Sequence, residues 1–316
     1  MSGLRARILA AVERFEPRRP PLAVGRSLLA SAQLSLLLFT PDGMLFARDP
    51  GSAYAPGCGG VRRLSMWCLA GQGEFTVSAG RLAAAVVLVV VASGYRPRWT
   101  CVPHCYVAFS VNAAIIAPNG GERACQVATM LLVPVLLGDR RTWHWKRPEV
   151  LLPPDRRGSA YAALLVLRGQ VAIIYLMAAG SKLANSPWRH GQAMYVIFQD
   201  PQFGVAPAVY GAFRPVFDCH PLTAAIGWTV IGVELAIGLS MVGPRRTRRC
   251  GLALAVGLHA AIIVLMGLVS FGLIMIGMVT LTVAGSPQPA RIRAAVPDLD
   301  QEPSTDVDRD RVLLPG

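Results

Sequence analysis

Charged residues are scarce in this sequence. Asp, Glu, Lys and Arg make up 16% of its 316 residues, against roughly 25% in an average soluble domain. Hydrophobic residues make up 53%, and the mean hydropathy is +0.45, whereas a disordered chain needs low hydrophobicity. The composition therefore argues against a soluble enzyme and against a disordered chain. It indicates a protein that crosses the membrane several times.

Acidic residues and lysines are the scarcest charges. The chain has 18 Asp and Glu against 31 Lys and Arg, for a net charge of +13, and Lys146 and Lys182 are its two lysines. A basic protein can bind nucleic acid. We expect no nucleic-acid partner here, because the sequence has no basic helix and no interleaving of aromatic and basic residues. The arginines instead form short clusters between apolar runs, as topology signals do.

The apolar runs predict an all-α fold, a polytopic transmembrane bundle. They cover 22–40, 82–94, 101–117, 124–138, 159–183, 223–243 and 251–285. The last run is too long for one upright span of about 20 residues. We split it near Ser270–Gly272, which gives about eight membrane helices. The predicted organisation is a basic N-terminus (1–21), a transmembrane domain (22–285) and a disordered tail (286–316), which is rich in Pro and Asp.

The distribution of basic residues predicts the orientation. By this helix assignment, 21 Lys and Arg lie on one side of the membrane and seven on the other. The positive-inside rule then places both termini in the cytoplasm of a multi-pass protein of the cell membrane. The first apolar run continues past a candidate cleavage site at Ala30–Ala32, so we expect an uncleaved helix. Trp143-His144-Trp145 is typical of an aromatic anchor at the interface.

The cysteines suggest one disulfide. Cys58 and Cys68 flank a loop on the predicted outer side, where oxidising conditions favour a bridge. Two free thiols are the alternative. Cys101, His104 and Cys105 resemble part of a metal-ligand set, but the second ligand pair of a usual zinc site is missing. We therefore expect no metal, and buried core cysteines are the simpler interpretation.

Three polar residues form a stripe on the fifth apolar run. Arg168, Tyr175 and Lys182 are seven residues apart, which returns a helix to within about 20° of the same face. Lys182 lies near the predicted outer end. A lysine can lose its proton when desolvated, and Arg cannot, so Lys182 is a candidate general base. The alternative is that its side chain extends to the outer headgroups.

Glu234 and His259 lie inside the next two apolar runs. Both are expected about 12–14 Å from the cytoplasmic end of antiparallel helices, and we predict that they pair. The pair would be either catalytic or a structural clasp between helices. The aromatic-rich outer segment 184–222 is expected to cap the cavity or to anchor at the membrane surface.

The fifth run also carries a family resemblance. The segments Leu167–Gln170, Tyr175 and Ala179–Leu183, followed by Trp188 and Gly191, are similar to a segment of vitamin K-dependent gamma-carboxylase. This stretch resembles the HTTM membrane domain that such enzymes share with many bacterial proteins. The resemblance covers about residues 20–285.

That resemblance implies a quinone cofactor and gives Lys182 the role of the base that deprotonates a hydroquinone. We add Glu234 and His259 as further candidate catalytic residues. Arg168, Gln170 and Tyr175 are the candidate cofactor-binding residues. Three features depart from the carboxylase. Its first lysine is replaced by Ser181, Asn119–Glu122 stands where it has a functional His before its next helix, and the large soluble domain that grips its substrate is missing.

Within this family the stronger resemblance is to the SdpB type, membrane proteins that help to produce a sporulation-delaying antimicrobial peptide. It is carried by Gly25–Ala30, Leu38–Pro41, the Cys58–Cys68 loop, Gly94–Arg98, Asn119–Glu122 and Trp143–Trp145. It implies that the protein matures a secreted peptide precursor together with a small partner protein, in contact with membrane lipid. The alternatives are a carboxylase-like enzyme that uses a reduced quinone, and a non-enzymatic immunity or export scaffold.

Overall fold

The fold is all-α, as the sequence predicts. The computed structural model describes residues 2–46, 57–71, 74–116, 120–201 and 203–284. Within these ranges every regular element is a helix, and the β-type pairing is a single isolated bridge between Tyr95 and Trp143. The predicted disordered tail (286–316) lies outside the described residues.

The helices follow the apolar runs of the sequence. In chain order they are α1 (Ser2–Glu13), α2 (Pro20–Phe39), α3 (Asp42–Leu45), α4 (Met66–Ala70), α5 (Glu74–Ser93), α6 (Pro97–Ala114), α7 (Gly120–Leu136), α8 (Pro154–Ala184), α9 (Ser186–Arg189), α10 (Ala193–Phe198), α11 (Pro207–Phe217), α12 (His220–Ser240), α13 (Arg245–Met266) and α14 (Val269–Val283), with a 3₁₀ turn at Gly60–Leu64.

Proline and glycine set the helix boundaries. Proline occupies the first turn of α2, α6, α8 and α12, where the backbone N–H that it lacks has no intrahelical partner anyway. Gly267 follows α13 with φ +69°, a left-handed conformation that glycine adopts at little cost. The long apolar run is therefore broken at Gly267, slightly before the split predicted at Ser270–Gly272.

Small residues let the helices approach closely. α2 packs against α14, and a Cβ added to Gly25 would lie 2.9 Å from the carbonyl oxygen of Gly277. A Cβ on Gly277 would lie 3.1 Å from the carbonyl oxygen of Gly25. Such close backbone contact is typical of helix pairs in membranes. On the other side of the bundle, α8 packs against α7 and α12.

The bundle is that of a helical membrane protein, but the predicted number of spans is not supported. Five described helices, α2, α5, α8, α12 and α13, are long and apolar enough to cross a membrane. The expected number was about eight, but α6, α7 and α14 fall short of these measures. α14, for example, has 15 residues, or about 23 Å, against a hydrocarbon core of about 30 Å. Most of its residues are buried by neighbouring helices.

Candidate functional site

The polar stripe of α8 faces other helices. Tyr175 is 2% exposed, and Arg168 and Lys182 are partly buried. Burial follows from the spacing, because residues seven apart share the face that α8 turns toward the bundle. The stripe therefore places titratable groups at successive depths along one helix.

Lys182 forms an ion pair with Glu234 of α12. Its Nζ donates hydrogen bonds to Oε1 and Oε2 of Glu234 at 2.8 and 2.9 Å. The side chains are 20% and 11% exposed, so water screens the pair only partly. The predicted pairing of Glu234 with His259 is therefore wrong. The prediction rested on the positions of Glu234 and His259 along their helix axes. It failed because the rotation of α12 about its axis turns Glu234 toward α8.

The pair lies well inside the length of α12. Glu234 is 14 residues after His220, about 21 Å along the helix axis. The first half of α12 extends beyond the end of α8 and packs against α9 and α10. Trp188 of α9 lies close to the amine, with its ring centre 5.1 Å from Lys182 Nζ. The ammonium thus points at a carboxylate and an aromatic face.

A second pair joins α8 to α13. The Tyr175 hydroxyl lies 2.8 Å from Nε2 of His259, which is 3% exposed. The imidazole packs edge-on against Phe271, with ring centres 5.4 Å apart. Its Nδ1 is buried and makes no hydrogen bond within the described ranges. α8 therefore contributes one residue to an amine–carboxylate pair and one to a phenol–imidazole pair. The two residues are two helical turns apart.

Arg168 and Gln170 do not join these pairs. No hydrogen bond connects either side chain to Tyr175 or Lys182 in the described part of the chain. Arg168 lies two turns further toward the start of α8, where its charge repels that of Arg248. Of the three residues assigned to cofactor binding, the structure brings only Tyr175 into contact with a proposed catalytic residue.

The cysteines are placed as follows. Cys58 and Cys68 are joined by a disulfide, with Cα atoms 5.7 Å apart. Cys101 and Cys105 are free thiols on α6, and His104 is 2% exposed beside them. Among the described residues, no three His, Cys, Asp or Glu side chains form a group that could hold a metal ion.

Sequence reasoning missed a buried polar contact at Glu122. Its carboxylate accepts a hydrogen bond from Ser270 of α14, and the Gln33 side chain of α2 lies beside it. Glu122 and Gln33 are both 0% exposed. The signal in the sequence was a single acidic residue at the edge of an apolar run. An ionisable residue in such a position often has a functional role.

His144 makes a buried contact that the sequence did not predict. It is 3% exposed, while its neighbours Trp143 and Trp145 are 39% and 52% exposed. Its Nδ1 lies 3.2 Å from Nη1 of Arg26, a fully buried cation of α2. The exposed tryptophans are consistent with an anchor at a membrane interface. The histidine is buried and connects its loop to α2 through Arg26.

Two proteins of Bacillus subtilis (strain 168) are similar to this chain. YitO, an uncharacterized protein, is 30% identical over 278 residues, which cover 87% of this chain and 89% of YitO. The sporulation-delaying protein SdpB is 31% identical over 266 residues, which cover 84% of this chain and 81% of SdpB. No protein-family model matches the chain, and no solved structure shows significant similarity to it.

Proposed function

The chain belongs to the family of SdpB and YitO, and we propose that it assists the production of a secreted peptide through proton transfer at Lys182. The observation that carries this proposal is the Lys182–Glu234 ion pair inside the bundle, next to the Tyr175–His259 pair. Ionisable residues are costly inside a membrane, so they usually face the bundle interior and often serve the function.

The two pairs have the chemistry that a proton-transfer site needs. Glu234 lies within hydrogen-bond reach of the Lys182 ammonium, so it can accept the proton that Lys182 must release to act as a base. The Tyr175 hydroxyl and His259 can exchange a proton at 2.8 Å. Their positions on three packed helices keep the four groups in place.

A reduced quinone is the cofactor that we propose. It would supply a dissociable hydroxyl proton and two electrons. The groups present fit such a molecule, because Lys182 can take a hydroxyl proton and the unpartnered Nδ1 of His259 can bond a quinone oxygen. Tyr175 is the proposed contact from the stripe. We leave Arg168 and Gln170 out of this contact, since they lie apart from the pairs.

The orientation of the site follows from the proposed topology. With both termini in the cytoplasm, α8 runs outward from the cytoplasmic side and the Cys58–Cys68 loop lies on the outer side. The Lys182–Glu234 pair then lies inside the bundle, about 21 Å from the outer end of α12. A secreted peptide precursor passes this side, and a small partner protein would hold it there. Membrane lipid surrounds the bundle, where apolar side chains such as Val86, Ile173 and Val264 are exposed.

The test replaces Lys182 with arginine. Lys182→Arg keeps a cation opposite Glu234 but cannot release a proton at working pH. We expect secreted-peptide production to fall by about a hundredfold or more, measured by mass spectrometry of the culture medium of the source organism. Ser181→Ala is the matched control, because this exposed neighbour bonds only its own helix. Mass spectrometry of the purified protein, wild type against Lys182→Met, would show whether a quinone is retained.

A scaffold without catalysis is the second candidate. It is favoured by the ion pair itself, because a lysine and a glutamate that neutralise each other also join α8 to α12. A scaffold predicts full peptide production in Lys182→Arg, and that result would contradict the proton-transfer proposal. A carboxylase-like reaction would appear in the same spectra as a gain of carbon dioxide on a glutamate of the peptide.

A further inference from the structure

A basic cavity lies at the end of the bundle opposite Lys182. It has a volume of about 580 Å³ and is formed where α6 and α8 begin and α7 ends, together with the segments before α2 and after α7. Seven of its lining side chains are cationic, and one, Glu149, is anionic. Nothing in the proposed function uses this region.

Two buried ion pairs make the wall of the cavity rigid. Arg141 is paired with Asp139, which is 0% exposed, and also donates to the backbone carbonyls of His144 and Lys146. Arg18 is paired with the buried Glu16 and donates to the carbonyl of Val150. The loop after α7 is thereby fixed to the segment before α2, so the cavity has a defined shape.

Three of the other cations have no such partner. Arg98, Arg140 and Arg147 are exposed, and their guanidinium groups make no hydrogen bond or ion pair within the described ranges. The first of them lies over the ring of Trp99, 5.7 Å from its centre. These groups are close enough to line one cavity, so they repel one another until an anion neutralises them.

We propose that this cavity binds a phosphate group, either in the headgroup of an anionic lipid or in a soluble phosphate. One guanidinium group can donate two parallel hydrogen bonds to the oxygens of a phosphate. Several guanidinium groups line this cavity. Trp99 and Trp145, 68% and 52% exposed, flank this end of the bundle. Exposed tryptophans are typical of the headgroup level of a membrane, which favours the lipid as the source.

The test compares two double variants of equal charge in the full-length protein, purified in detergent. Arg140→Gln/Arg147→Gln removes two cations of the cavity. Arg246→Gln/Arg249→Gln removes two exposed cations at the start of α13, outside the cavity. Brominated phosphatidylglycerol is titrated and quenching of tryptophan fluorescence is recorded, with brominated phosphatidylcholine as the reference lipid. Sodium phosphate is titrated separately by calorimetry.

We expect the cavity variant to bind phosphatidylglycerol at least about tenfold more weakly, and the α13 variant to bind it like the wild type. Phosphate binding with the same variant dependence, without lipid binding, would assign the cavity to a soluble phosphate. Equal losses in both double variants, or no loss in either, would overturn the proposal. Circular dichroism and elution volume check folding, and Arg98→Gln alone, with a loss of about fivefold expected, tests the same cavity if the double variant misfolds.

Discussion

The Lys182 site and the basic cavity differ in how their charged side chains are neutralised. The site holds one lysine and one glutamate, which neutralise each other and are 20% and 11% exposed. The cavity collects seven cations around one space, and Arg98, Arg140 and Arg147 are left exposed. Inside a bundle a charge has to be neutralised by the protein itself. At the end of the bundle, water and bound anions can do so.

The basic end nevertheless contains a buried layer of its own. Asp139 and Arg26 are both 0% exposed. The first is neutralised by Arg141, and the second is held by His144 and Thr100. The comparison is therefore between paired and unpaired charges more than between two ends of the molecule. Three measurements of stability would sharpen or break it.

The largest expected effect is the loss of one partner in the Lys182 pair. Glu234→Leu leaves a mostly covered ammonium without its carboxylate, which should lower the free energy of unfolding by about 3–5 kcal/mol. Lys182→Met/Glu234→Leu removes both charges and should restore most of that stability. Thermal unfolding of the purified protein in detergent measures both. If the double variant is as unstable as the single one, the loss does not come from an unpaired charge.

A smaller effect is expected at the basic end. Arg141→Gln leaves the buried Asp139 without its cation and removes the bonds to two loop carbonyls, for a loss of about 2–4 kcal/mol. Arg140→Gln, the exposed neighbour, should change stability by less than about 0.5 kcal/mol. The same unfolding assay applies. Equal losses in the two variants would break the distinction between paired and unpaired cations.

The smallest expected effect depends on pH. Burial, together with the charges of Arg26 and Arg141, lowers the pKa of His144 from 6.5 to about 3. Between these values the unfolded chain binds a proton at His144 and the folded protein does not, so stability falls as the pH falls. We expect a loss of about 1 kcal/mol from pH 6.5 to 5.5.

The control for the pH effect is His144→Gln, which cannot titrate. Its unfolding free energy should depend less steeply on pH over the same interval, while other groups contribute equally to both proteins. Parallel pH profiles for wild type and variant would show that His144 is protonated to the same extent in the folded and unfolded chains.

Spacing along the chain predicted a good part of the site. The seven-residue intervals of Arg168, Tyr175 and Lys182 placed them on one face of α8, because helix geometry is local. The spacing did not identify the partner of Glu234. A distance along an axis does not give the rotation of the helix, and that rotation sends Glu234 to Lys182 and His259 to Tyr175.

The sequence by itself determined that this is an α-helical membrane protein, because apolar runs and scarce charge leave few other ways to satisfy the backbone. It also determined which rare ionisable residues lie within those runs. Only the tertiary structure decided which charges meet, where the longest apolar run breaks, and where the arginines surround one cavity. These outcomes depend on helix rotation and contact between distant segments, which no local pattern of residues encodes.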